Sequence, residues 1–260
     1  MPSPFLPPEI LDLIVDHLHD ERTALEACCL VSRPWVHRAR RHLFFRIDFS
    51  PASPIESWIK AFPDPSSSPA HYARVLTLHG SPVVATAGTS ALAWVRALCH
   101  IVELGIFSVV WDDSPFSLIQ LHGLFPALKS FSLSRSYIPP PELLDIICSF
   151  PLLKDLGVYL RPTLDTTTAW GWSPPSTLPE LTGTLRLNGK VRFVVRGLLG
   201  LPKFFRFREI ALTCFINDAD LTMDLVSKCS KTLETLTVGF LPTSTFSSLS
   251  ALGQYLTATH

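Results

Sequence analysis

Nine histidines, 22 acidic residues and six cysteines would suffice for a catalytic site, provided some of them are spaced for chemistry. His17 and His19 are two apart, which on a helix places them on different sides, and His37 and His42, five apart, match a single face no better. No His-Glu-x-x-His run offers two imidazoles and a base to a metal, and no Gly-x-Ser-x-Gly elbow exposes a nucleophilic serine. Gly197-Leu198-Leu199-Gly200 lacks the Lys-Ser or Lys-Thr that a phosphate-cradling loop needs. The carboxylate pairs Asp112-Asp113 and Asp218 with Asp220 have the spacing of turn residues as much as that of acid–base partners. Cys28, Cys29, Cys99, Cys148, Cys214 and Cys229 are scattered, and no two have the spacing of a zinc site. The inventory points away from an enzyme, and no metal or cofactor is expected. Trp170 and Trp172, flanking Gly171, suit either a binding hot spot or an anchor that folds their loop onto the body.

Composition narrows the partners. Lys+Arg and Asp+Glu are both 22, so there is no basic excess to neutralise phosphates and no nucleic-acid partner is expected. Hydrophobic residues make up 47% and charged residues 17%, ample for a continuous core. Met1 to Pro8 lack a basic start and a long apolar stretch, so no secretory signal is expected. Ala91 to Trp111 is apolar, but Arg96, His100 and Glu103 interrupt it, which argues against a membrane span. With scattered thiols, the expected compartment is the cytoplasm or nucleus.

The elements that would position any functional surface come next. Residues 6–47 read as three short helices. Pro8 and Glu9 open the first, Pro8 to Leu18, whose apolar stripe is Ile10, Leu11, Ile14 and Leu18. Thr23 and Glu26 have capping-box spacing for the second, which carries Leu25, Cys28, Cys29 and Leu30. Ser32 can cap the third, where Pro34 falls in the first turn and Trp35, Ala39, Leu43 and Phe44 follow at helical steps. Three helices this short hold little core and leave apolar surface to spare.

Leu6-Pro7-Pro8-Glu9-Ile10-Leu11, Cys28-Cys29-Leu30-Val31-Ser32-Arg33 with Trp35, Ala39-Arg40 and Leu43-Phe44 resemble the F-box motif, over about one sixth of the chain. The resemblance implies docking on the Skp-type adaptor of a cullin–RING ubiquitin ligase. Carried over by position, the contacts would be Leu6, Pro7, Ile10, Leu11, Ile14, Leu25, Cys28, Leu30, Val31 and Trp35. Several of these, Trp35 above all, could equally hold the three helices together.

Ser50 to Pro69 is rich in Pro and Ser, with Ile55, Trp58, Ile59 and Phe62 at helical steps inside it. Beyond it, pairs of bulky residues separated by one spacer recur: Leu76/Leu78, Leu104/Ile106, Phe131/Leu133, Leu156/Val158, Leu185/Leu187, Ile210/Leu212 and Leu236/Val238. They follow one another at steps of 25 to 29 residues, within the period of leucine-rich repeats. An apolar residue stands three positions earlier at Ile101, Leu128, Leu153, Phe207 and Leu233, weakly at Ala73, and not at Thr182. Ala91 to Leu98, Glu142 to Cys148 and Leu221 to Cys229 read as helices between strands, and Ser247 to Tyr255 as a closing helix. The Asn or Cys that leucine-rich repeats place three residues after the second member is missing throughout, from Ser81 to Leu241, so the repeats are irregular.

The chain therefore resembles the F-box/leucine-rich-repeat proteins abundant in fungi. The expected fold is α/β: a three-helix F-box-like module (1–48), a linker with a short helix (49–70), and an irregular leucine-rich-repeat solenoid of parallel strands plus helices (71–260). The resemblance implies a substrate-recognition adaptor of a Skp–cullin–F-box-type ligase, with a protein-binding scaffold lacking any ligase role as the alternative. A target protein would meet the concave side, at His79, Phe107, Ser134, Tyr159, Asn188 and Thr213.

Overall fold

The structure is a computed structural model. It describes residues 7–80, 94, 96–108, 123–136, 138–160, 178–189, 192–201, 205–241 and 256–259. The fold is α/β. Three helices, α1 (Pro8–His17), α2 (Arg22–Val31) and α3 (Arg33–Leu43), precede a nine-stranded sheet. Its strands are β1 (Arg46–Phe49), β2 (Val75–His79), β3 (Glu103–Phe107), β4 (Ser130–Ser134), β5 (Asp155–Tyr159), β6 (Thr184–Asn188), β7 (Glu209–Phe215), β8 (Thr235–Leu241) and β9 (Leu256–Thr259). They lie in sequence order, β1 to β8 all parallel and β9 antiparallel to β8. Between strands run α4 (Ile55–Ala61), α5 (Pro140–Ser149), α6 (Arg192–Gly200) and α7 (Ala219–Cys229).

The seven bulky pairs occupy β2 to β8, in register with one another. Strand side chains alternate between faces, so each pair points to one side. From β2 to β7 both members are buried, and on β8 Leu236 and Val238 are half-buried. The residues three positions earlier fill the same interior: Ala73, Ile101, Leu128, Leu153 and Phe207 are all fully buried. Where Thr182 breaks the pattern, its neighbour Leu181 is buried instead.

The sheet begins earlier than the seven pairs suggest. Ile47 and Phe49 on β1 are buried and pair in register with Leu76 and Leu78, so the sheet reaches back into residues 1–48. Aromatic edges join this strand to what flanks it. Trp58 on α4 meets Phe49 and Phe44 edge-on, and Phe62 stands 4.8 Å from Trp58.

Hydrogen bonding recurs at each end of the strands. On entry, one carbonyl accepts two successive N–H groups of the next strand: Phe45 from Arg74 and Val75, Arg74 from Val102 and Glu103, Val102 from Lys129 and Ser130, Lys129 from Lys154 and Asp155. On exit, the residue after the strand donates to a carbonyl at or near the end of the next one, as Gly80 does to Phe107, Ser108 to Ser134, Arg135 to Tyr159, Leu160 to Asn188 and Gly189 to Thr213. Four of these five exit residues, Gly80, Ser108, Arg135 and Gly189, have a positive φ, between 54° and 94°. At those four exits a left-handed residue turns the chain at the rim, where the sequence offers no Asn or Cys side chain to do so.

Helices cover one side of the sheet. The expected stretch Glu142 to Cys148 lies within α5, and Leu221 to Cys229 within α7. Half of Ala91 to Leu98, residues 91–93 and 95, lies outside the described residues, and Ser247 to Tyr255 lies entirely outside them. The sequence reading did not anticipate α6, which is buried on most of its surface between α5 and α7. The Gly197–Gly200 stretch belongs to this helix, where Gly197 lets Leu144 of α5 approach.

Two capping expectations fail. Helix α2 begins at Arg22, one residue before Thr23, and forms no capping bond. Its Glu26 instead pairs with Arg22 one turn away, at 2.9 Å. Ser32 does sit at the N-cap of α3, but its side chain makes no capping bond.

Candidate functional site

The three N-terminal helices pack around a small interior of Val15, Leu25, Cys28 and Ala39, flanked by Leu18, Cys29, Trp35 and Leu43. Helix α1 is apolar on two sides. Leu11, Val15 and Leu18, four and three residues apart, turn inward, whereas Ile10, Leu13 and Ile14 remain exposed. At the far end of α2, Leu30 is 89% exposed and Val31 66%. Five large aliphatic side chains therefore stand in water around an interior of four. On each of the two helices the exposed residues are near neighbours in sequence, and grouped exposed apolar residues mark interaction surface more often than single ones do.

Of the expected adaptor contacts, Pro7, Ile10, Ile14, Leu30 and Val31 are exposed and Leu11 and Trp35 are half-buried. Leu6 lies outside the described residues. Leu25 and Cys28 need correction: at 1% and 5% exposure they belong to the interior and offer a partner nothing. The reason is helical geometry, since they are three residues apart on the face of α2 that meets α3. Leu13, three residues on from Ile10 and not among the expected contacts, is also exposed.

A polar clamp sets the angle between α1 and α3. Arg38 donates its Nε to Asp16 Oδ1 at 2.6 Å and its Nη2 to Oδ2, while His42 Nε2 bonds Asp16 Oδ1 at 2.7 Å. Hydrogen bonds from Arg38 and His42 hold the Asp16 carboxyl well below the usual carboxylate range, and the same carboxylate raises the Arg38 guanidinium. Below the clamp, a cleft of about 630 Å³ opens toward β1, lined by Arg41, Arg46 and Asp48 among others. Tyr72 Oη and His37 Nδ1, 2.9 Å apart, tie α3 to the segment before β2.

The second surface is the outward face of the sheet. His79, Phe107, Ser134, Tyr159, Asn188 and Thr213 stand side by side on β2 to β7, each in register with the next. Asn188 is exposed and the others half-buried. The rings of His79 and Phe107 stack, with centroids 4.9 Å apart and planes 16° from parallel. Two residues earlier on each strand the side chains are small: Thr77, Gly105, Ser132 and Gly157. This lets the rings lie down. A Cβ on Gly105 would come within 2.9 Å of the Phe107 ring, and one on Gly157 within 3.4 Å of the Tyr159 ring.

The groups weighed for catalysis are scattered. Among the described residues no three His, Cys, Asp or Glu side chains cluster as a metal site would require. Asp218 is buried against Arg192 at 3.6 Å, whereas Asp220 is exposed on the first turn of α7. Asp112, Asp113, Trp170 and Trp172 lie outside the described residues. All six cysteines are free, and burial raises the Cys214 and Cys229 thiols and pushes Cys148 up to about 12. No helix among the described residues is long and apolar enough to cross a membrane.

A scan against protein-family models finds no match, and a search of curated proteins finds none either.

Proposed function

We propose that this chain is a substrate-recognition adaptor of a Skp–cullin–F-box-type ubiquitin ligase. Its N-terminal helices act as an F-box-like module, and the strands and helices beyond them form an irregular leucine-rich-repeat solenoid. The module docks the Skp-type adaptor through Ile10, Leu13, Ile14, Leu30 and Val31, and the outward face of the sheet holds a target protein. The chain contributes no catalytic residue. It speeds transfer by raising the effective concentration of the target near the ubiquitin-carrying enzyme. The observation that supports the reading is the set of exposed aliphatic side chains on a module with so small an interior, four of which, Ile10, Ile14, Leu30 and Val31, stand at positions that the F-box resemblance marks.

Co-expression of residues 1–260 with a Skp-type adaptor, followed by size exclusion, tests it. Wild type is expected to co-elute, and a Leu30→Asp, Val31→Asp variant to elute alone while keeping its helical signal. Both side chains already stand in water, so the substitutions cost the free protein little, within about 0.5 kcal/mol each. A folded wild type that elutes without the adaptor overturns the ligase reading and leaves a protein-binding scaffold.

A further inference from the structure

The cleft below the Asp16 clamp holds more hydrogen-bond donors than its carboxylates can use. Arg22, Arg38, Arg41 and Arg46 line it, and so do Asp16, Asp20 and Asp48. Both oxygens of Asp16 are occupied, Oδ1 by Arg38 Nε and His42 Nε2, and Oδ2 by Arg38 Nη2. Asp20 pairs with His19 at 3.0 Å. Arg22 gives its Nε to Glu26 at 2.9 Å. Arg22 and Arg38 therefore each keep terminal N–H groups with no protein acceptor among the described residues. The guanidinium groups of Arg41 and Arg46 are exposed and make no hydrogen bond or ion pair among those residues. Asp48, on the same side of β1 as Arg46, is the one cleft carboxylate without a side-chain partner there.

The sequence concentrates this charge. The chain as a whole has no net charge, yet residues 33–46 carry Arg33, Arg38, Arg40, Arg41 and Arg46 and no acidic residue. A concave surface between such a helix and strand focuses their positive potential. At about 630 Å³ the cleft falls in the range of pockets that hold small ligands.

A cationic ligand would meet the arginines, and an aliphatic one would strip water from them without replacing its hydrogen bonds. A single carboxylate brings two oxygens and one charge. A phosphoryl group brings three strong acceptor oxygens and nearly two charges, and guanidinium groups fork onto it. We propose that this cleft binds a phosphoryl group, held by Arg41 of α3 and Arg46 of β1, with Arg22 and Arg38 adding donors and charge. The group belongs either to a small molecule or to a modified side chain of a partner. The proposal is independent of what docks on the exposed aliphatic residues of α1 and α2.

Thermal melting of the full chain tests it, because a ligand of the folded state raises the melting temperature. Pyrophosphate, a phosphoserine peptide and acetate are each titrated at neutral pH against chloride of equal ionic strength, which removes general screening. A saturable rise is expected with the phosphoryl probes and not with acetate, and the tighter of the two identifies the source of the group. Arg41→Gln, Arg46→Gln should weaken that binding about tenfold or more, and Asp48→Asn should tighten it about threefold by removing a like charge. All three side chains are exposed, so the variants should melt near wild type in chloride. No saturable rise over chloride, acetate acting as strongly as the phosphoryl probes, unchanged binding in the arginine variant, or an Asp48→Asn protein that does not bind more tightly would each overturn the proposal.

Discussion

Gly197→Ala sets two known effects against each other at one position. In an exposed helix the change gains about 1 kcal/mol, because glycine is the poorer helix former. On α6, a Cβ at residue 197 would lie 2.4 and 2.5 Å from the two terminal carbons of Leu144 on α5, and 3.0 Å from its branch point. Leu144 is 1% exposed, so it must move against protein neighbours and not into water. Forcing an extra carbon into such a core costs about 1–3 kcal/mol, and more where both ends of a side chain are blocked. Overpacking should win, with a net loss of up to about 2 kcal/mol read as a lower urea midpoint at unchanged slope. Leu144→Ala alone should cost about 2–5 kcal/mol through the cavity it leaves. In the double variant the new methyl occupies part of that cavity, so the combined loss should fall short of the sum by more than about 1 kcal/mol. A Gly197→Ala protein more stable than wild type, or strictly additive losses, would refute the close packing of α5 on α6.

Gly189→Ala is expected to cost at least about 2 kcal/mol, since φ is 94° there and the added carbon would sit 2.3 Å from the Leu160 carbonyl oxygen, a backbone atom that cannot swing aside; thermal melting measures it. Asp16→Asn should destabilise by about 1 kcal/mol at neutral pH, the clamp being a third open to solvent. Because the folded Asp16 carboxyl is held below its unfolded value, its contribution is present above about pH 4 and disappears as pH falls further, so urea midpoints of variant and wild type should converge in acid. Exposed Cys99 should react with iodoacetamide in the native protein, while buried Cys148, Cys214 and Cys229 should react only on unfolding; mass spectrometry after a timed quench distinguishes them.

The strand pattern was legible because alternation is local. Leu76/Leu78 and its six successors each mark one strand and its buried side with no information from elsewhere in the chain. Ile47/Phe49 stands 29 residues before Leu76/Leu78 and carries the same signal, but the expected boundary at residue 48 divides it between the helical module and the linker. Helix α6 was not legible. Phe193, Val194, Val195, Leu198 and Leu199 make a short apolar run that suits a buried strand as well as a buried helix, and packing between α5 and α7 decides in favour of the helix.

At the module, the residues alone determined that α1 and α2 are amphipathic and short, with more apolar surface than three such helices can bury. They also marked the positions on β2 to β7 that now stand in one row. Tertiary structure decided the rest: that Leu25 and Cys28 face α3 while Leu30 and Val31 face water, and that Phe107 and Tyr159 lie flat over glycines at the open side of the sheet. Periodicity tells which side chains avoid water, but what covers each of them depends on elements brought together from elsewhere in the chain.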